Sequence, residues 1–210
     1  MKTTASILVS TTALVLVSCE NPADKTTSAT VTDAVEVTPA AADSAGAVKY
    51  AFSPESEIRF VGSKVTGSHT GGFKKFSGSF SVASGALAGT GQKITIDMNS
   101  VWSDDDKLTE HLKNEDFFNV TKFPESSFEL TGLKPESEGS YQVSGNLTLT
   151  GTTKNITFPA TVTVNGEKAA IHAKFDINRK DFGIEYAGRA DDLIRDEVVI
   201  ELKLEAAPQA

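Results

Sequence analysis

The chain has 210 residues, 20 Lys and Arg against 28 Asp and Glu, and a formal net charge of -8. That balance argues against a nucleic-acid binder, which needs a basic face to neutralise phosphates. A single Cys permits neither an internal disulfide nor a Cys-based metal centre, while 12 Phe are enough to build a core and exclude wholesale disorder.

Met1-Lys2 gives a short positive start, and residues 7–17 are apolar apart from Ser10, Thr11 and Thr12. The run is too short to span a bilayer, which takes about 20 apolar residues, and it fits the apolar part of a secretory signal peptide. It ends in Leu16-Val17-Ser18-Cys19, which resembles the bacterial lipobox: the Cys is lipidated, the peptide is cut before it, and the new amino group is acylated. Residues 1–18 are therefore expected to be a lipoprotein signal peptide and Cys19 the lipidation site. Glu20, rather than Asp, after the Cys favours the outer membrane, with the protein facing the periplasm.

Residues 20–48 contain no aromatic residue and no Leu or Ile, and carry Glu20, Asp24, Asp33, Glu36 and Asp43 against Lys25 alone. A segment so poor in apolar groups cannot offset its ordering entropy. The expectation is a disordered acidic tether over residues 19–48, reaching roughly 30 Å as a coil.

Residues 49–206 change character and hold all the Phe. Apolar and polar residues alternate at strand period through Ile58 and Phe60, Phe80 and Val82, and Ile94, Ile96 and Met98. The pattern returns at Phe128 and Leu130, Val143 to Leu149, Ile156 to Val164, Ile171 to Ile177, and Val198 to Leu204. Asn165-Gly166 is a hairpin signal. One dry and one wet face per strand is antiparallel behaviour, and periodicity alone leaves sandwich and closed barrel equally open. One segment breaks the alternation. Ser103 offers an N-cap, Asp104, Asp105 and Asp106 suit a helix start, and Leu108, His111 and Leu112 follow at helical spacing, predicting a short amphipathic helix up to about Asp116. Residues 207–210 read as a tail.

The run from Ser100-Val101-Trp102 through Asp104-Asp105-Asp106, Leu108, His111-Leu112, Asp116-Phe117-Phe118, Phe123-Pro124 and Phe128 resembles the signature of the YceI family. Gly145-Asn146-Leu147-Thr148-Leu149-Thr150-Gly151 and Phe175-Asp176-Ile177-Asn178-Arg179-Lys180-Asp181-Phe182-Gly183 match further motifs in the same order. The resemblance implies an all-β, eight-stranded antiparallel, lipocalin-like barrel whose apolar lumen binds an isoprenoid or other long-chain amphiphile. A lipobox and tether on such a barrel would give a membrane-anchored binding protein of the bacterial envelope, for sequestration or local hand-over. The alternative is an envelope structural or interaction protein whose barrel is filled by its own side chains.

Candidate lumen residues are Phe60, Phe80, Met98 and Trp102, then Leu108 and Leu112 of the helix, then Phe117, Phe118, Phe128, Phe175 and Phe182. Flat rings give large contact with a methyl-branched chain at little rotamer cost, although core packing is the plainer reading of each residue alone. His111, at a family motif position, is a candidate hydrogen-bond donor to a head group, and Arg179 a candidate cation for one, against the plain reading of an Arg-Asp pair closing a turn. His69 falls in a Gly-rich loop and His172 on a wet face. No zinc spacing occurs, and Asp104, Asp105 and Asp106 are explained by capping without an ion. No nucleophile elbow or phosphate loop is present, so no enzyme activity, metal or resident cofactor is expected. The glycosylation-type triplets at Asn119, Asn146 and Asn155 read as coincidental. The expected partners are a lipid and the membrane; the oligomeric state, a dimer included, is left open.

Overall fold

The computed structural model describes residues 21–37, 46–84 and 86–209. The signal peptide and Cys19, and residues 38–45 of the expected tether, lie outside the described residues. A 3-10 turn, Pro22–Lys25, leads into β1 (Thr27–Ser28) and β2 (Thr30–Asp33). There follow β3 (Val48–Phe52), β4 (Glu57–Lys64), β5 (Gly67–Phe73), β6 (Phe76–Ala83), β7 (Ala86–Ala88), β8 (Lys93–Asp97), β9 (Val101–Ser103) and the one α-helix, α1 (Asp106–Lys113). The second half is β10 (Glu125–Ser137), β11 (Ser140–Leu149), β12 (Thr152–Val164), β13 (Ala169–Asn178), β14 (Gly188–Arg189) and β15 (Asp192–Pro208).

Three pairs of these strands are halves of long strands bent in the middle. β4 pairs with β5 through Lys64–Gly67 and Ile58–Phe73, and beyond the bend β3 pairs with β6 through Ala51–Ser79 and Val48–Val82, as one hairpin. β8 and β9 follow the same path, against β6 and β5. With each bent pair counted as one wall, the barrel has eight antiparallel walls, as expected. It closes where β15 pairs with β13 on one edge and with β4 and β3 on the other.

The alternation read from the sequence sets which face is dry. On β12, Ile156, Phe158, Ala160 and Val162 are buried, while Thr161 and Thr163 are exposed. Two glycines lie under inward rings: a Cβ on Gly145 would stand 2.1 Å from Cζ of Phe128, and one on Gly71 2.4 Å from Cζ of Phe60. Those positions let the rings lie flat against the wall.

The tether expectation is overturned for residues 21–37. β1 pairs in parallel with β13 at Phe175 and Asp176, and β2 pairs antiparallel with β12 from Lys154 to Thr157. The composition argument counted apolar burial only; this segment is ordered by main-chain ladders and by polar partners on the barrel. The chain end also differs from expectation. Ala207 and Pro208 belong to β15, paired with Ala51 and Tyr50 of β3, so there is no separate tail at these positions.

The helix begins two residues later than its acidic run suggests. Asp105 is the N-cap, its Oδ1 accepting from the Leu108 N–H at 2.8 Å, and the helix ends at Lys113 when the Asn114 N–H turns back to the His111 carbonyl. Ser103 instead holds the cap, its Oγ donating to the Asp105 carbonyl at 2.7 Å. Asp104 points away from the helix to β5. It accepts from the Thr70 N–H at 2.9 Å and pairs with His69 Nδ1 at 2.8 Å.

Two outcomes are expected. Gly145→Ala should cost roughly 1–3 kcal/mol through overpacking, read as a lower urea midpoint, with Phe128→Leu in the same chain recovering part of the loss. The Thr70 N–H, and then His69, hold the Asp104 carboxyl below its ordinary value of 3.8. A depressed carboxylate stabilises the fold above that value and loses its contribution as the pH falls through the lower folded one. The stability difference between the wild type and Asp104→Asn should therefore shrink as the pH drops below 3.8, in denaturant midpoints measured along the acid limb.

Candidate functional site

The lumen is the candidate site. It encloses about 250 Å³ of free space and draws its lining from every wall. β4 gives Ile58 and Phe60, β10 gives Phe128 and Leu130, and β12 gives Ile156 and Phe158. Ile171 and Phe175 of β13 stand opposite Ile200 and Leu202 of β15. The polar residues of the lining are Ser79, Gln92, Ser126 and Arg179, and no carboxylate or imidazole belongs to it. Ser126 donates to the Thr148 carbonyl and Gln92 to the Ala88 carbonyl, so those side chains are turned to the wall. Among the described residues no cluster of three His, Cys, Asp or Glu side chains could hold a metal.

Aromatic rings set the bore. Phe158 and Phe175 stack with centroids 4.1 Å apart, and Phe128 tilts against Phe158 at 5.8 Å. At the end of the barrel nearest α1, Phe60, Phe73 and Phe118 form a triangle with centroid spacings of 5.9, 6.3 and 5.9 Å. Leu112, the buried side of α1, packs with Phe60 and Val101 behind that triangle. The free volume lies just below the roughly 300–1,000 Å³ of ordinary small-molecule pockets.

Of the sequence candidates, Phe60, Phe80, Leu112, Phe117, Phe118, Phe128, Phe175 and Arg179 meet at the lumen. The other five do not line it. Met98 is buried in a core cluster with Ile58 and Val120, at the 3-10 turn that bends β8 into β9. Trp102 lies against Gly72, register partner of its own position and neighbour of the Gly71 that faces Phe60, and hence on the opposite, outer face. Leu108 packs on the outside of the Phe60 cluster. Phe182, fully buried, sits in the 3-10 turn Arg179–Phe182, beyond the end of β13.

His111 is likewise outside. Its Nε2 pairs with Asp116 Oδ2 at 2.8 Å, and its ring meets Phe117 and Tyr186 edge-on, each at 5.0 Å. It buttresses a lining ring without reaching the lumen. Arg179 is buried beside the lumen, yet its donors go to protein: Nε to the Arg195 carbonyl at 3.1 Å, Nη1 to the Ile184 carbonyl at 2.7 Å, Nη2 to Asp196 Oδ1 at 3.1 Å. The plain reading holds in substance, with Asp196 rather than Asp181 as the partner. The guanidinium staples the 183–196 loop to the barrel end.

The candidate set missed Phe158, which alternation with Ile156 and Ala160 would have placed inward. Phe52 and Phe73, next to strand bends, carry no such signal.

Comparison with known proteins agrees with this architecture. A UPF0312 protein of Pseudomonas putida (strain W619) is 33% identical over 174 residues, covering 76% of this chain and 88% of its own. One from Yersinia enterocolitica is 34% identical over 155 residues, covering 68% and 79%. Among solved structures, Burkholderia cenocepacia BcnA superposes with a TM-score of 0.66 at 27% identity, over 73% of this chain and 97% of that one. A polyisoprenoid binding domain from Saccharophagus degradans superposes with a TM-score of 0.63 at 19% identity, over 77% and 99%, a likeness of fold. Residues 50–206, which hold all eight walls but for the ends of the first and last, match the YceI-like domain, and the chain belongs to that family.

Proposed function

We propose that the barrel is a binding protein for one long apolar chain of isoprenoid or related type, held in the lumen for sequestration or local hand-over in the bacterial envelope. The observation that carries this is the lumen itself: a void walled by aliphatic and aromatic groups, with Gln92, Ser126 and Arg179 of its few polar side chains tied to protein. An apolar void of this kind forfeits dispersion contacts while empty, and a chain threaded through it restores them without needing a polar partner. The lining holds no carboxylate, imidazole or thiol that could act as a base beside its two Ser hydroxyls, which supports binding over catalysis. The Saccharophagus degradans domain of the same fold, described as polyisoprenoid binding, supports an isoprenoid as the first chain to look for. Cys19 supplies the anchor in this reading, and the outer membrane its site.

A second reading has its own observation. The free volume of about 250 Å³ is modest for a carrier, and the stacked Phe158 and Phe175 fill part of the bore, as a structural barrel packed by its own side chains would show.

Solvent extraction of the purified protein, followed by mass spectrometry, separates the two. A carrier yields an apolar chain near one per barrel. Ile171 touches three of the four core clusters, so Ile171→Trp should fill the bore and abolish the extractable chain, with the urea midpoint moving by about 1–3 kcal/mol at most. A wild type that yields nothing and takes up no long-chain probe hands the argument to the filled barrel. For the anchor, wild type should resist washing from membranes in high salt, since each buried methylene contributes about 0.8 kcal/mol, and Cys19→Ala should not. Equal release of the two by salt would remove the anchor from the proposal.

A further inference from the structure

The barrel wall has a seam. β12 and β13 pair directly only from Ala160–Ala173 to Val164–Ala169. Beyond that point the edge of β12 at residues 154–157 belongs to β2, and the edge of β13 at Phe175 and Asp176 belongs to β1. The N-terminal segment thus occupies a strand's place between two strands that have parted, and Pro159, which has no N–H for a ladder, lies at the changeover. Two strand spacings, about 9–10 Å, separate the parted edges. Ile156 and Phe158 on one side and Phe175 and Ile177 on the other all line the lumen, and the stacked Phe158 and Phe175 rings, 4.1 Å apart, bridge the seam on its inner side.

The segment is held as a part made to fit, but by polar contacts. Asn146 reads the main chain of Val35 with its amide: Oδ1 accepts from the Val35 N–H at 3.1 Å and Nδ2 donates to the Val35 carbonyl at 2.6 Å. Asn155 braces that amide, Nδ2 donating to Asn146 Oδ1 at 3.0 Å. Thr26 Oγ1 donates to Asp176 Oδ1 at 2.7 Å, and Ser63 Oγ donates to Asn21 Oδ1 at 3.1 Å. Asn21, Ser63, Asn146, Asn155 and Asp176 are five of the nine buried polar or charged side chains among the described residues. From the segment's strands and their junction, only Ala29 and Val31 pack on the core, and the other residues of β1 and β2 are exposed. A unit with few apolar contacts and many replaceable hydrogen bonds opens at low cost relative to the whole fold, and its release lets water reach Asp176 and the two Asn side chains, whose burial is otherwise expensive.

We infer that residues 21–35 are a detachable strap over a lateral portal between β12 and β13, through which the apolar chain enters and leaves the lumen. This rests on the binding reading above. Parting the seam removes a strand's width of wall and leaves one obstacle, the stacked Phe158 and Phe175, whose rings must turn aside for a single chain to slip in sideways. The end route past α1 requires the Phe60, Phe73 and Phe118 triangle to be dismantled first.

The test uses the full chain carrying Cys19→Ser, with parinaric acid, a linear polyene that fluoresces out of water, as the probe. Thr30→Cys and Thr157→Cys are register partners across the strap and β12, and their disulfide locks the strap. Stopped-flow displacement should show release at least about tenfold slower in the oxidised form, with dithiothreitol restoring the original rate. Thr26→Val with Asn146→Leu, which removes two clamps, should speed release about tenfold, the factor expected for losing buried hydrogen bonds of ordinary strength. Should the lock fail to form, hydrogen exchange decides with the unaltered strap: the amides of residues 29–33 and 154–157 that are bonded across the β2–β12 ladder, rather than to β11, should exchange together and well before the amides of residues 160–164 bonded to β13. Probe that binds but leaves at one rate from locked, loosened and parent chains, or strap amides that exchange only with global unfolding, overturns the portal. Failure of the parent chain to bind any probe is a different result, which removes the binding reading and the portal with it.

Discussion

The structure depends on the two-sided pairing of β15. One edge ladders with β13 from Ala169–Ala206 to Asn178–Glu197, and the other with β4 and then β3. A sheet of this many strands would otherwise end in two open edges, each a row of unpaired N–H and C=O groups. Closing it on a single strand uses those groups and commits alternate residues of every wall to an interior without water. The apolar lumen is a consequence of that closure, because the inward positions have no solvent to face. The bends in three walls, and the glycines beneath Phe60 and Phe128, keep the interior from filling completely.

The direct ladder between β12 and β13 is interrupted where the two strands part, and there a segment whose apolar side chains are no larger than Val does the work of a strand. Main-chain hydrogen bonding is indifferent to side-chain hydropathy, so an edge pair can order a sequence that could not fold by itself. The partners on the barrel are correspondingly polar: Ser63, Asn146, Asn155 and Asp176 are buried beneath the segment. Asn146 and Asn155, register partners across β11 and β12, act as additional main chain, continuing the ladder past the end of β2 to Val35.

Much of this was legible beforehand. The inward faces of β12, β13 and β15 follow from period-two alternation, and Leu112 from helical spacing. Barrel rather than sandwich came from the family resemblance, since alternation is the same in both. What failed did so where the period changes. Trp102 and Met98 flank the bend between β8 and β9, where the face count restarts, and Phe182 lies in a 3-10 turn to which no strand period applies. His111 shares α1 with Leu112 but points along the rim to Asp116, a direction that helical spacing alone does not separate from inward. The N-terminal segment was illegible because composition measures what a segment can bury, and this one is held by what it can pair with.

Docking of the N-terminal segment also fixes a distance. Asn21 is bonded to Ser63 on β4, so whatever holds residue 19 holds the barrel two peptide steps away, at most about 7 Å. With a lipid on Cys19 the docked barrel would lie flush on the headgroups, its tilt set by the end that carries Ser63. With the strap undone, residues 21–35 alone would become slack, a coil of roughly 20 Å, and the barrel would stand off by that length. Standoff from the bilayer and openness of the seam would then be two readings of a single coordinate.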